Sequence, residues 1–285
     1  MTTPGPPQID IMSEFETLAY SESNRVATIT LNRPEVYNSF NEQMQRELRS
    51  LWHQLRLNHD VGAVVLTGAG TKAFCTGIDR NEAMSEGVRD NADGDHLVGY
   101  SDAWSFDDPG EWLCPKANGM WKPVIGAVNG MACGGAFYML GECDFLLAAD
   151  HATFFDPHVT FGMTAAYEPI HLLSKMPFGE LMRMSLLGSH EQLSARRALE
   201  IGFVTEVCPS EELLERATWC AERIAESPNL ATMGTVKALW TGLELSRRQA
   251  LDMMYLFTNV GTDAELIAEG QRKFTSGERI RPRIR

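Results

Sequence analysis

Apolar residues in this chain follow two periods. Short segments alternate every second residue or are apolar throughout, and longer segments repeat every three to four residues. The first pattern predicts strands and the second predicts helices. FETLAYS and RVATITLN are alternating strands joined at the turn-like SESN, a hairpin. Asn41 then opens a helix, NEQMQRELRSLWHQLRL, with Met44, Leu48, Leu51 and Leu55 on one face. VGAVVLTG follows as a buried strand and ends in a glycine-bearing loop, GAGTKAFCTGID. KPVIGAVNG is a second buried strand, running through another glycine loop into an apolar helix, GGAFYMLGEC, and DFLLAAD is a third. Residues 172–200 read as helical, FVTEVCP as a last strand, and the remainder as helices with periodic apolar positions in LLERATWCAERIAE and LDMMYLF. Such alternation implies right-handed crossovers and parallel strands covered by helices. Three spans result: a proline-bearing flexible tail at 1–13, a core at 14–209 and a helical segment at 210–285. Within the core, residues 80–118 are polar and rich in Asp and Gly, the expected mobile or substrate-specific region.

Composition narrows the class. The 285 residues are 44% hydrophobic and 22% charged, ordinary for a soluble globular protein. Lys and Arg number 25 against 38 Asp and Glu, a net charge of −13. Nucleic acid is therefore not expected as a partner, because phosphate binding needs a clustered basic face. Any anionic ligand must be held by local Arg, Lys or backbone N–H groups. The cysteines at 75, 114, 133, 143, 208 and 220 form no C-x-x-C pair and no metal-ligand spacing. They read as reduced thiols, and no metal is expected. The N-terminus lacks a basic start and an apolar stretch, so no signal peptide is expected, and no apolar run reaches the roughly 20 residues of a membrane span. The expectation is a cytoplasmic protein without membrane contact.

Chemistry concentrates at two strand–loop–helix junctions, VVLTGAGTKAFCTGID and VIGAVNGMACGGAF. In each, a strand ends, glycines let backbone approach a ligand, and a helix begins with unpaired N–H groups. A single junction of this form is also an ordinary tight turn. Two side by side can aim two N–H donors at one oxygen, forming an oxyanion hole.

Five segments together resemble the crotonase (enoyl-CoA hydratase/isomerase) superfamily: LNRPEVYNSFN, KAFCTGID, KPVIGAVNGMACGGAF, FFDPHVTFGM and EGQRKFTSGERIRP, in order from about residue 14 to the end. The resemblance implies an α/β fold, the crotonase-like spiral of β-β-α units in two sheets with a helical C-terminal segment. It implies an acyl-CoA substrate, no cofactor beyond the coenzyme A carried by that substrate, and a homotrimer or hexamer. Its oxyanion donors fall on Ile78 and Gly135. Thr76 falls beside the adenine of coenzyme A. Asp79 and Arg80 begin the next helix, where Arg80 is either a donor to a CoA phosphate or simply solvated. Lys273, Phe274 and Arg279 are candidates for a neighbouring subunit's CoA site. RNA binding, found in some members, is disfavoured by the −13 charge.

The chain departs from the hydratases of that family at both catalytic glutamates, whose positions hold Tyr138 and His158. Loss of such groups removes roughly 100- to 10,000-fold each. Tyr138 in AFYMLGE is either a packed tyrosine or a proton donor. His158 titrates in the right range for proton transfer. Glu168, in TAAYEP, is its candidate partner, and Tyr167 a lesser one. Asp95 and His96 read as solvent-exposed. The expected function is an acyl-CoA-processing enzyme of the hydratase/isomerase type. Isomerisation, decarboxylation, hydrolysis and carbon–carbon cleavage remain open, as does a non-catalytic acyl-CoA-binding protein.

Overall fold

A computed structural model describes residues 15–83, 108–277 and 279–285. The expected tail at 1–13, the middle of the 80–118 region and the pair Asp95 and His96 lie outside them. The described chain runs β1 (Leu18–Ser23), β2 (Val26–Leu31), α1 (Glu42–Leu57), β3 (Ala63–Gly68), β4 (Ala73–Cys75), α2 (Arg80–Ala83), α3 (Gly110–Leu113), β5 (Val124–Val128), β6 (Met131–Cys133) and α4 (Ala136–Glu142). It continues with β7 (Phe145–Ala149), β8 (Thr153–Phe155), α5 (Tyr167–Leu172), α6 (Phe178–Leu187), β9 (Leu193–Ser194), α7 (Ala195–Glu200) and β10 (Glu206–Cys208). Four helices end it: α8 (Leu213–Ala225), α9 (Asn229–Glu244), α10 (Arg247–Val260) and α11 (Ala264–Thr275).

The described strands form two sheets, one ordered β1-β2-β3-β5-β7-β10 and the other β4-β6-β8-β9. Each turn of the spiral sends one strand to the first sheet and the next strand to the second, then returns by a helix or loop. β2, β3, β5, β7 and β10 are parallel, and the β1–β2 hairpin is antiparallel. β3 and β5 are buried at every position, which is why they read as unbroken apolar runs rather than alternating ones.

Local chemistry fixes the elements. Asn41 accepts the Met44 N–H at 3.0 Å and so starts α1. Met44, Leu48, Leu51, Trp52 and Leu55 of α1 are buried, and the Trp52 indole donates to the Leu113 carbonyl at 3.0 Å. The hairpin turn differs from expectation. The strand continues to Ser23, and Asn24 and Arg25, both at positive φ, make a two-residue turn whose twist matches the strands. Two loops also contain three-residue strands, β4 and β6, too short to show a period, and β9 interrupts the 172–200 span to pair with β8.

The C-terminal helices divide. α8 buries Leu213, Ala217, Ala221 and Ala225 against the first sheet and so closes the core. α9 and α10 bury no residue within the chain. α9 is tied down by Trp240, whose indole donates to Asp144 at 2.7 Å, with Lys116 and Lys175 over its ring. The terminal residues fold back, Arg283 pairing with Glu206 at 3.1 Å. Among the described residues no helix is long and apolar enough to cross a membrane.

Asn38 links the first motif to the site. It is fully buried at φ 55, donates to the Ala69 carbonyl at 3.0 Å and the Ala73 carbonyl at 2.8 Å, and accepts the Arg33 N–H at 3.1 Å. Asn38→Ala removes the bonds to the Ala69 carbonyl and the Arg33 N–H, while Asn129 keeps its bond to Ala73, and leaves alanine in the left-handed region. The expected cost is roughly 2–5 kcal/mol of unfolding free energy in urea titration. A change below about 1 kcal/mol would show that these bonds do not hold the loop.

Candidate active site

The two glycine junctions meet. A Cβ on Gly77 would lie 3.0 Å from the Gly135 nitrogen, and one on Gly135 would lie 3.3 Å from the Gly77 Cα and 2.6 Å from the Phe40 ring. Only glycine permits this approach, and Gly77, at φ 85, also needs the left-handed region. Phe40 forms a parallel bridge with Ile78: its N–H donates to the Gly77 carbonyl at 2.9 Å, and its carbonyl accepts the Asp79 N–H at 2.8 Å. Successive N–H groups of extended backbone point to opposite sides, so the Ile78 N–H faces away from Phe40. Gly135 is the residue at which α4 begins, and its N–H precedes the helix ladder. Among the described residues no acceptor sits on the N–H of Ile78 or of Gly135.

The first loop is stiffened from below. Asp79 is buried, its Oδ2 2.9 Å from Arg33 and its Oδ1 accepting the Asn81 N–H at 3.1 Å. Both carboxylate oxygens are thus committed to the protein. In the structure Asp79 braces the loop through Arg33 and Asn81. Thr76 is half-buried beside Gly77, and Arg80 is exposed with its guanidinium 4.4 Å above the Phe161 ring.

His158 and Glu168 are brought together. The His158 Nε2 lies 3.4 Å from Glu168 Oε1, and its Nδ1 lies 2.5 Å from Asp156 Oδ1. The same Asp156 oxygen accepts the His158 backbone N–H at 3.0 Å, closing an Asx turn across Pro157. Asp156 is fully buried, and its Oδ2 has no hydrogen-bond partner among the described residues. A carboxylate placed so favours a cationic neighbour. The Asp156 hydrogen bond accordingly raises the His158 pKa, with burial opposing it. It also fixes the proton on Nδ1 and turns Nε2 toward Glu168. Burial raises the Glu168 pKa, and the His158 charge opposes that rise. Asp156 was the residue missed in the sequence. Its signal was Asp-Pro-His, an aspartate placed to accept the N–H two residues on.

Tyr138 is 4% exposed, and its ring packs edge-on against His171 at 5.5 Å. Burial and the nearby Glu168 and Asp108 carboxylates hold its hydroxyl far above the ordinary phenol range. It stays protonated and cannot serve as a base. Behind it, Cys114, Glu142 and His171 bring potential ligand atoms within 4.8 Å of one another. Glu142 Oε2 already accepts two backbone N–H groups, at 2.6 and 3.0 Å, and the Cys114 thiol donates to the Tyr138 carbonyl at 3.0 Å. These donor atoms serve the fold beneath Tyr138. Phe274 and Arg279 contact each other, at 5.0 Å from ring to guanidinium. Lys273 lies on α11, and its side chain is outside the described residues. Tyr167 is exposed at the start of α5.

Comparison with known proteins agrees with this layout. The family model described as enoyl-CoA hydratase/isomerase matches residues 21–279. The chain is 32% identical over 266 residues to the (E)-benzylidenesuccinyl-CoA hydratase of Thauera aromatica, covering 92% of this chain and 96% of that one. A crystal structure of an enoyl-CoA hydratase/isomerase from Mycobacterium paratuberculosis superposes with a TM-score of 0.81 at 34% identity, covering 92% and 97% of the two chains. An enoyl-CoA hydratase from Bacillus anthracis superposes with a TM-score of 0.79 at 27% identity, covering 92% and 96%. The fold is therefore the crotonase fold.

His158 titration is directly testable. Its raised pKa means that pairing with Asp156 stabilises the fold fully below the ordinary imidazole range. That stability is lost as pH rises through the raised value. In an NMR titration the His158 midpoint should lie above about 6.5, and Asp156→Asn should move it down. A midpoint unmoved by that substitution would remove Asp156 from the site.

Proposed function

We propose that this chain, which belongs to the enoyl-CoA hydratase/isomerase family, holds the thioester carbonyl of an acyl-CoA between the N–H groups of Ile78 and Gly135 and moves protons with His158 and Glu168. The observation that carries this reading is the contact of the Gly77 and Gly135 backbones, which leaves two free donors beside each other. Donors fixed in that way stabilise an enolate oxygen more than a ground-state carbonyl, because they do not reorganise as charge develops. Coenzyme A lies along the first loop past Thr76, as part of the substrate and not as a separate cofactor.

The reaction this site suits best is addition of water to a double bond conjugated with the thioester. Glu168 takes a proton from water as the oxygen adds to the β-carbon, and the electron pair moves onto the thioester oxygen at Ile78 and Gly135. The His158 imidazolium then gives its Nε2 proton to the α-carbon. Glu168 returns its proton to His158, 3.4 Å away, so both groups are restored and the net change is one water added. The likeness to a named hydratase supports this direction. Isomerisation uses the same groups without the water. Tyr138 takes no proton in either scheme and shapes the acyl pocket with its neutral hydroxyl.

Across a panel of unsaturated acyl-CoA esters followed by mass spectrometry, the parent should turn over at least one. On that ester His158→Ala and Glu168→Gln should each lose about 100- to 10,000-fold in kcat with thioester binding retained. Full rate in both variants overturns the acid–base assignment. Binding without turnover across the panel makes the chain a non-catalytic acyl-CoA binder.

The trimer or hexamer belongs to the same reading. Leu239, Leu243, Leu251, Leu256, Val260 and Phe274 are exposed on α9–α11 at 54–74%. An apolar surface of this extent on unburied helices supports self-association. Light scattering should give at least three times the 31.7 kDa chain mass, and a monomer at micromolar concentration would overturn it.

A further inference from the structure

Arg80 is a cation at the edge of the proposed site. Among the described residues no carboxylate pairs with it, although acidic residues outnumber basic ones by 38 to 25. Its guanidinium is held 4.4 Å over the ring of Phe161. Phe161 ends the single 3-10 turn His158–Phe161 that begins with the proposed acid. Arg80 is thus drawn against the acid–base wall. Its charge is felt on that wall: it opposes protonation of His158 and favours the Cys133 thiolate on the second glycine loop.

Position and chemistry agree. Arg80 is two residues beyond Ile78, so their Cα atoms are at most about 7 Å apart. A guanidinium there reaches an acyl chain a few carbons past a thioester carbonyl bound at the Ile78 N–H. A cation whose charge opposes a histidine that must carry a proton is unfavourable by itself. An anion bound to it would remove that conflict, and a planar carboxylate matches the guanidinium fork.

Resting on the acyl-CoA reading above, we propose that Arg80 receives a second carboxylate on the acyl group, so that the preferred substrates are mono-thioesters of dicarboxylic acids. This reassigns Arg80 from the coenzyme A phosphates to the acyl side. Substrate carboxylate and protonated His158 then reinforce each other, and an acyl group lacking the carboxylate leaves the Arg80 charge opposing the acid.

The test is calorimetric binding of two saturated thioesters, glutaryl-CoA and its ω-methyl ester, to the full-length parent and to Arg80→Gln. Both are repeated as pantetheine thioesters that lack the nucleotide phosphates. The parent should bind the acid about 10- to 100-fold more tightly than the ester in both series, and Arg80→Gln should abolish the difference while binding the ester as the parent does. Three results overturn the proposal: no preference in the parent, a preference that survives in Arg80→Gln, or a loss in Arg80→Gln shared by acid and ester in the CoA series and absent from the pantetheine series. The last result would return Arg80 to a phosphate. Failure of the parent to bind any of the four thioesters overturns the acyl-CoA reading as well, which separates the two failures. Unchanged thermal melting of Arg80→Gln excludes a folding defect.

Discussion

Gly77 and Gly135 touch through backbone alone, and the placement of the Ile78 and Gly135 N–H groups follows from that contact. The two residues lie on junctions that leave different strands of the second sheet, β4 and β6. A side chain on either would push against the other loop or against Phe40. Phe40 supplies the third side: its main chain orients the first loop by two hydrogen bonds, and its ring packs beneath the second. The outcome is a pair of N–H groups whose direction is set by strand geometry rather than by side-chain rotamers. Electrostatic stabilisation of an oxyanion benefits from such rigidity, since donors that need not move cost nothing when charge forms.

A second set of contacts keeps that arrangement from relaxing. Asn38, in the left-handed region, donates to the Ala69 carbonyl and shares the Ala73 carbonyl with Asn129. Arg33 reaches from the same motif to the Ser39 carbonyl at 2.8 Å and to Asp79 at 2.9 Å, on the far side of the oxyanion loop. Asn129 adds a tie from the second junction, accepting the Gly68 N–H at 3.0 Å and donating to the Gly70 carbonyl at 2.7 Å. Half-buried, well-oriented pairs of this kind matter more for geometry than for net stability. They explain why the LNRPEVYNSFN motif, which carries no reacting atom, is part of the same machine.

How much was legible in the sequence depended on whether a residue's role was local. Buried strands β3, β5 and β7 were readable because they are apolar along their whole length, and α1 because Asn41 caps an amphipathic run. The glycine loops and the pair His158 and Glu168 were readable as candidates from residue type and motif position. Three-residue strands such as β4 and β6 were not, because a period cannot be seen in so few residues. Nor was the Asn24–Arg25 turn, since arginine is a poor advertisement for positive φ. The bond between Asp79 and Arg33 was not, because they are 46 residues apart and only the fold joins them. Asp156 escaped notice because an aspartate before proline is ordinarily a turn residue. Here the turn is what aims it at the His158 ring.

Tyr138 and His158, which the family resemblance sets at the positions of two glutamates, are better understood together than as separate losses. Two carboxylates at a closed site repel, and the family's pair must be managed by surrounding dipoles. This chain keeps one carboxylate, Glu168, and supplies the opposite charge on His158. The two proton carriers therefore attract and differ in kind at the start of a cycle. The buried Asp156 biases that charge toward histidine, and the protonated Tyr138 hydroxyl adds no further anion. Arg80 is the remaining cation at the edge. Its charge works against His158 unless an anion arrives beside it. A guanidinium stacked on Phe161, with no carboxylate on it among the described residues, offers an incoming anion a partner. That is a physical reason for this arrangement to prefer an acyl group with a carboxylate at its far end.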